Sequence, residues 1–176
     1  MFRIIVAGSR EFRNFEMLNE VLEGYIDKMN KDTITIVSGC AKGADELGEV
    51  FAGNHKLNLE KFPADWQKYG TEAGFIRNTQ MARFATENGS HGVLFAFWNG
   101  KSNGTKDMIN KAKLNDMEVH IIVYEEKGPE PNDQVLLFET DTLDMDYFKK
   151  LEEIKEPAED FMNPPVDNSE EGSENE

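Results

Sequence analysis

Apolar residues in the first 124 positions alternate between short runs and longer stretches at helical spacing. Residues 2–7 form an apolar run ended by Gly8, the pattern of a strand buried on both faces. Met17, Leu18, Val21, Leu22, Tyr25, Ile26 and Met29 then recur at helical spacing and predict a helix over residues 15–29, with Asn14 as its N-cap. A second strand is expected over 33–37, stopped at Ser38-Gly39. A helix over 45–52 is closed by Gly53, and a third strand over 57–62 is broken by Pro63. Residues 71–88 read as a helix with Phe75, Ile76, Met81, Phe84 and Ala85 towards the core and Gly89 at its end. A strand over 93–97, a helix over 105–115 and a strand over Glu118–Val123 complete the series.

The resulting order β-α-β-α-β-α-β-α-β predicts a parallel sheet covered on both faces. With right-handed crossovers this is a Rossmann-like, three-layer α/β/α fold of about five parallel strands. After Tyr124 the composition changes. Residues 127–133 read as a linker, 135–139 as an added edge strand, 145–156 as a short helix, and the chain from 157 as a disordered tail rich in Pro, Ser and acidic residues.

Charge divides at the same place. The chain carries a formal −15, but residues 1–124 hold 16 acidic against 15 basic side chains, and residues 125–176 hold 18 against 4. The acidity thus belongs to the C-terminal extension, whose expected role is to solubilise the protein, with binding of a basic partner as the alternative. Neither part offers a basic stripe, which disfavours nucleic acid as a partner. No run of about 18 apolar residues predicts a membrane span, and the N-terminal apolar run is too short for a signal peptide. One cysteine, Cys40, excludes an internal disulfide and fits a cytoplasmic setting, and the three histidines show no metal-ligand spacing with it.

Three glycine-containing turns follow expected strands, and together they suggest one composite site at the carboxyl ends of the sheet. In Gly8-Ser9-Arg10, glycine permits close backbone approach, the Ser9 hydroxyl can donate, and the Arg10 guanidinium can fork onto a phosphate. The alternative is a tight turn with solvated arginines. Ser38-Gly39-Cys40-Ala41-Lys42-Gly43-Ala44-Asp45 adds two glycines and the Lys42 charge before a helix but lacks the Walker A order, so a P-loop NTPase is disfavoured. Asp45 is expected to N-cap that helix, with a ribose hydroxyl as the alternative partner. In Trp98-Asn99-Gly100-Lys101-Ser102-Asn103-Gly104-Thr105, Thr105 can cap the next helix, bind phosphate, or both, with Asp107 and Asp116 as nearby carboxylates. Trp66, Tyr69 and Trp98 could stack on a base, although a place at the core edge is the expected role of each. Arg77, on an otherwise apolar helix face, needs an ion-pair partner or faces a pocket. Cys40 is expected as a small packed residue rather than a nucleophile.

Taken together these residues resemble the SLOG superfamily, and within it the YspA branch. The likeness rests on Ala7-Gly8-Ser9-Arg10 with Phe12, the whole Ser38–Asp45 string, Ala64-Asp65-Trp66, Tyr69-Gly70, Ala73-Gly74 with Arg77-Asn78 and Met81, and Ala96–Ser102 with Gly104-Thr105. It covers about residues 1–124 and implies a Rossmann-like domain that binds a nucleotide or nucleotide-derived small molecule. The binding set it implies is Gly8, Ser9, Arg10, Ser38, Gly39, Lys42, Gly43, Asp45, Asp65, Trp66, Arg77, Asn78, Trp98, Ser102, Gly104 and Thr105, with no cofactor or metal, and a homodimer as an option. Related LOG enzymes hydrolyse the N-glycosidic bond of nucleoside monophosphates with an arginine and a glutamate. Arg77 stands where their arginine would, Met108 where their second acid would, and Asp107 is the candidate substitute carboxylate. The expectation is therefore a binding or sensing module, with a phosphoribohydrolase-like enzyme as the alternative and DprA-like DNA processing disfavoured by the lack of basic surface.

Overall fold

The computed structural model of the protein describes residues 1–125 and 136–138. The expected linker at 127–133, helix over 145–156 and acidic tail lie outside the described residues. Five parallel strands form the body of the sheet: β1 Phe2–Gly8, β2 Ile34–Ser38, β3 Asn58–Lys61, β4 His91–Trp98 and β5 Glu118–Val123. A sixth, β6 Leu136–Phe138, pairs antiparallel with β5. The order is β3-β2-β1-β4-β5-β6. The chain therefore builds outwards from β1 on one side, returns, and builds outwards from β4 on the other. The β1–β4 boundary is the switch point, where a crevice opens at the carboxyl ends of the strands.

The helices are α1 Phe15–Ile26, α2 Ala44–His55, α3 Trp66–Tyr69, α4 Ala73–Thr86 and α5 Asn103–Leu114. Helices α1 and α2 pack together, as do α4 and α5. Met17, Leu18, Leu22, Ile26, Phe51 and Ala52 from the first pair close over Ile4, Val6, Ile34, Ile36, Phe95 and Phe97. The alternate strand residues Ile5, Leu94, Ala96 and Ile121 are also buried, so the sheet is covered on both sides, as its continuous apolar strands require. Burying each large side chain contributes about 1.5–3 kcal/mol, so Phe51→Ala at a fully buried site would cost about 3–5 kcal/mol. None of the helices among the described residues is long and apolar enough to cross a membrane.

Several element boundaries differ from expectation for local reasons. Asn14 caps α1, accepting from the Met17 N–H at 3.0 Å, but the helix stops at Ile26, and a separate 3₁₀ turn capped by Asn30 follows at Lys31–Thr33. Helix α2 passes through Gly53 and ends at Lys56, which takes the left-handed conformation at φ 56°. The expected helix over 71–88 is instead α3, a 3₁₀ turn at Gly70–Glu72, and α4. The buried face of α4 is Ala73, Asn78, Met81, Ala82 and Ala85, whereas Phe75 is exposed and Ile76 and Phe84 are half-buried. All three alanines of α4 are buried, and of its large apolar residues Met81 is buried with them while the others turn outwards.

Candidate functional site

A cavity of about 510 Å³ opens at the carboxyl ends of β1, β2 and β4. The β1 turn lines it with Gly8, Ser9, Arg10 and Glu11; the β2–α2 turn with Ala41 and Asp45; and the β4–α5 turn with Asn99, Ser102, Gly104 and Thr105. Trp66, Thr71, Gly74, Phe75, Arg77, Asn78, Met81 and Met108 complete the wall. A second cavity of about 570 Å³ adjoins it, sharing Arg10, Ala41, Trp66 and Arg77 and adding Gly39, Cys40, Lys42, Pro63 and Ala64.

The β1 turn is a close approach of three backbones. Gly8 lies opposite Phe97 in the β1–β4 register, and a Cβ there would strike the Phe97 carbonyl and sit 2.7 Å from the Ala44 methyl. Ser9 is buried. Its N–H donates to the Phe97 carbonyl at 3.0 Å and its hydroxyl accepts from the Asn99 N–H at 3.3 Å, so it joins the β1 and β4 turns. Arg10 is exposed at the rim of both cavities.

The β2–α2 turn is organised around a buried carboxylate. Gly43, not Asp45, is the N-cap of α2. It adopts φ 85°, which a side chain would strain, and its N–H donates to Glu46 Oε2 at 3.4 Å. Asp45 therefore sits inside the first helical turn and is almost fully buried. It accepts from the Gly39 N–H at 3.1 Å and the Ala41 N–H at 3.4 Å and faces Arg77 Nη1 at 3.4 Å. Arg77 Nη1 also donates to the Gly39 carbonyl, and Arg77 Nε donates to Asn78 Oδ1 at 3.1 Å. Both roles foreseen for Arg77 hold, since it is an ion-pair partner that also lines the cavity. Burial pushes the Asp45 carboxyl up to about 6, partly offset by Arg77 and the two backbone donors. A Cβ on Gly39 would overlap the Arg77 guanidinium and displace it. Ser38 is buried at the end of β2. Its hydroxyl donates to Glu49 Oε1 at 2.8 Å and accepts from the Cys40 N–H at 3.0 Å, so it supports the turn and lines neither cavity.

The β4–α5 turn is held by its own side chains. Asn99 Oδ1 accepts from the Lys101 and Ser102 N–H groups, both at 3.0 Å. Ser102, not Thr105, caps α5, accepting from the Thr105 N–H at 3.3 Å, and the buried Thr105 hydroxyl donates to Ser102 Oγ at 2.9 Å. The Trp98 ring N–H donates to the Ser102 carbonyl at 3.1 Å, so Trp98 braces the turn without facing either cavity. Nothing lies within 4 Å of a Cβ built on Gly104, which leaves the first turn of α5 open to the cavity.

Asp107 is placed behind the site. Its carboxylate receives Lys111 Nζ at 2.7 Å on both oxygens and Asn78 Nδ2 at 2.8 Å, and it lines neither cavity. Asn78 also donates to the Gly104 carbonyl at 3.2 Å, which ties α4 to the third turn. Asp65 caps α3 by accepting from the Lys68 N–H at 3.0 Å. Trp66 is 52% exposed, so it is not a core-edge residue, and it overhangs both cavities. Cys40 is exposed with φ 56° rather than packed. Partial burial and the neighbouring Glu49 push its thiol up, which disfavours a nucleophilic role. Sequence reasoning missed Glu11, Thr71, Asn99 and the cavity-facing Phe75, Met81 and Met108. Of these only Asn99, one residue before a glycine in a polar turn, carries a local signal.

The family described as "YspA, cpYpsA-related SLOG family" matches residues 2–69. The chain is also 28% identical over 120 residues to the Gene 61 protein of Mycobacterium phage D29, covering 64% of this chain and 90% of the phage protein. No solved structure matches. The family match spans β1 with its Gly8 turn, the whole β2–α2 turn and the start of the Trp66 segment, and over those residues the chain is similar to the YspA branch of the SLOG superfamily.

Proposed function

We propose that the protein binds a nucleotide or nucleotide-derived small molecule at the carboxyl ends of its strands, as a binding or sensing module. The observation that carries this reading is the convergence of the β1, β2–α2 and β4–α5 turns with α4 on one cavity. One part of its wall is apolar, from Trp66, Phe75, Met81 and Met108, and suits a base. The other carries Ser9, Arg10, Asn99 and the open first turn of α5, which suit a sugar or phosphate. The family match over residues 2–69 supports the same class of ligand.

Turnover is the second reading, and Asp107 is poorly suited to it. Both its oxygens are held by Lys111, and the acid position of related hydrolases is the buried Met108. The carboxylates that do line the cavity are Asp45, committed to Arg77 and two N–H groups, and Glu11. The test is to incubate the full chain with nucleoside monophosphates, NAD and cyclic nucleotides while following melting temperature and free base. A shift without base release is expected. Base release abolished by Asp107→Ala would establish the hydrolase reading instead, and no shift with any of these compounds would sink the pocket itself.

A further inference from the structure

The β2–α2 turn has the glycines and the helix start of a phosphate cradle, but its donors are already engaged. The Gly39 and Ala41 N–H groups donate to Asp45 Oδ2 at 3.1 and 3.4 Å, the Cys40 N–H to Ser38 Oγ at 3.0 Å, and the Gly43 N–H to Glu46 Oε2 at 3.4 Å. Arg77 Nη1 faces the same Asp45 oxygen at 3.4 Å. One carboxylate oxygen thus gathers two backbone donors and a guanidinium, the set that a phosphate oxygen takes at a glycine-rich turn before a helix. Asp45 is only 4% exposed, so this anion is a fixed part of the fold.

The field at the turn has the matching sign. Glu46 shares the first turn of α2 with Asp45, and Glu49, one turn further, accepts from the Ser38 hydroxyl at 2.8 Å. Cys40 lies between the two N–H donors in the chain and reports this field. Burial pushes its thiol up, and the charges of Glu49 and Asp45 push the same way against Lys61 and Arg77. A second anion brought to the turn meets a buried carboxylate at the donors it would need, and unpaired like charge in a buried place is costly. Lys42, exposed in the same turn, is a solvated charge and offsets little of this.

We infer that Asp45 is a resident anion that fills the phosphate position of the β2–α2 turn and acts as a specificity-determining residue, so that this turn rejects phosphate. The exclusion holds whatever ligand the cavity takes. On the nucleotide reading above, it leaves the phosphate to the β1 and β4–α5 turns.

The test uses inorganic phosphate on the full chain at mildly alkaline pH, where Asp45 is ionised because its carboxyl is raised only to about 6. The exposed Cys40 is alkylated with iodoacetamide in phosphate and in chloride of equal ionic strength. Each protein is compared with its own rate in chloride, which cancels any change in the thiol itself. Phosphate should leave the rate of the unmodified protein unchanged. It should slow alkylation in Asp45→Ala, which empties the position, and in Asp45→Asn, which keeps the shape without the charge. The separation in phosphate affinity should be at least roughly tenfold, as expected when one close like-charge contact is removed. Phosphate should also raise the melting temperature of the variants by more than that of the unmodified protein, a difference that cancels its general stabilising effect. If Asp45→Ala does not fold, Asp45→Asn decides. Protection of Cys40 in the unmodified protein, or in no folded variant, would overturn the inference. AMP titrated by calorimetry into the unmodified protein tests the nucleotide reading separately, and its failure to bind would leave the phosphate results to decide the role of Asp45.

Discussion

The β2–α2 and β4–α5 turns look alike in sequence, each a glycine-rich stretch between a strand and a helix, yet they do opposite physical work. In the β2–α2 turn the glycines make room. Gly39 yields its side-chain space to the Arg77 guanidinium, and Gly43 takes a left-handed φ while packed against the Ser9 and Arg10 backbones. The turn closes around a buried charge, the Asp45 carboxylate held by Arg77 and two backbone N–H groups. In the β4–α5 turn, Asn99 and Ser102 satisfy the local N–H groups with side-chain oxygens, and Gly104 faces empty space. A glycine-rich turn can thus be a packing device or an opening, and only its neighbours decide which.

The largest test of this contrast is to unpair the buried charge. Arg77→Met should destabilise the fold by about 3 kcal/mol in urea unfolding, because Asp45 is left buried without its cation. The loss should shrink at pH 5, where Asp45 can take up a proton. Gly43→Ala comes next, at about 2–3 kcal/mol, from strain at φ 85° and collision with the Ser9 and Arg10 backbones. A cost below about 0.5 kcal/mol would remove the distinction between the two turns.

Acidity probes the same clasp more gently. The folded Asp45 carboxyl is raised from 3.8 to about 6, so between those values the folded state holds the proton more than the unfolded chain does. Its contribution to stability is therefore full below about pH 4 and lost as pH rises through about 6. The stability of the unmodified protein minus that of Asp45→Asn should fall across this window and stay flat above it. A flat difference throughout would show that the carboxyl titrates normally. The smallest effect belongs to the open turn. Gly104→Ala, inside the first turn of α5 and free of contacts, should stabilise the protein by about 0.5–1 kcal/mol in the same assay. A destabilised variant would mean that the third turn is packed after all.

Much of the fold was legible in the sequence because each strand is a short apolar run and each helix carries its own cap or apolar stripe. The bounds of β5 were foreseen residue for residue, and Asn14 caps α1 as expected. The errors cluster where a non-local partner overrides a local signal. Asp45 has the look of a cap, but its carboxylate is claimed by Arg77, 32 residues away. Phe75 has the spacing of a core residue, but Ala73, Asn78, Met81, Ala82 and Ala85 form the buried face of α4. Asp107 has the chemistry of a catalytic acid, but Lys111, one turn further along α5, neutralises it.

The sequence by itself determined the alternation of strands and helices, the places where glycine turns interrupt it, and the family likeness of residues 2–69. These depend on periodicity and on residues read within a few positions of one another. The tertiary structure alone decided which turns face the cavity, which charges are already paired, and that two cavities adjoin with Arg10, Ala41, Trp66 and Arg77 in both walls. Those properties depend on distances between residues far apart in the chain, and burial sets their energies.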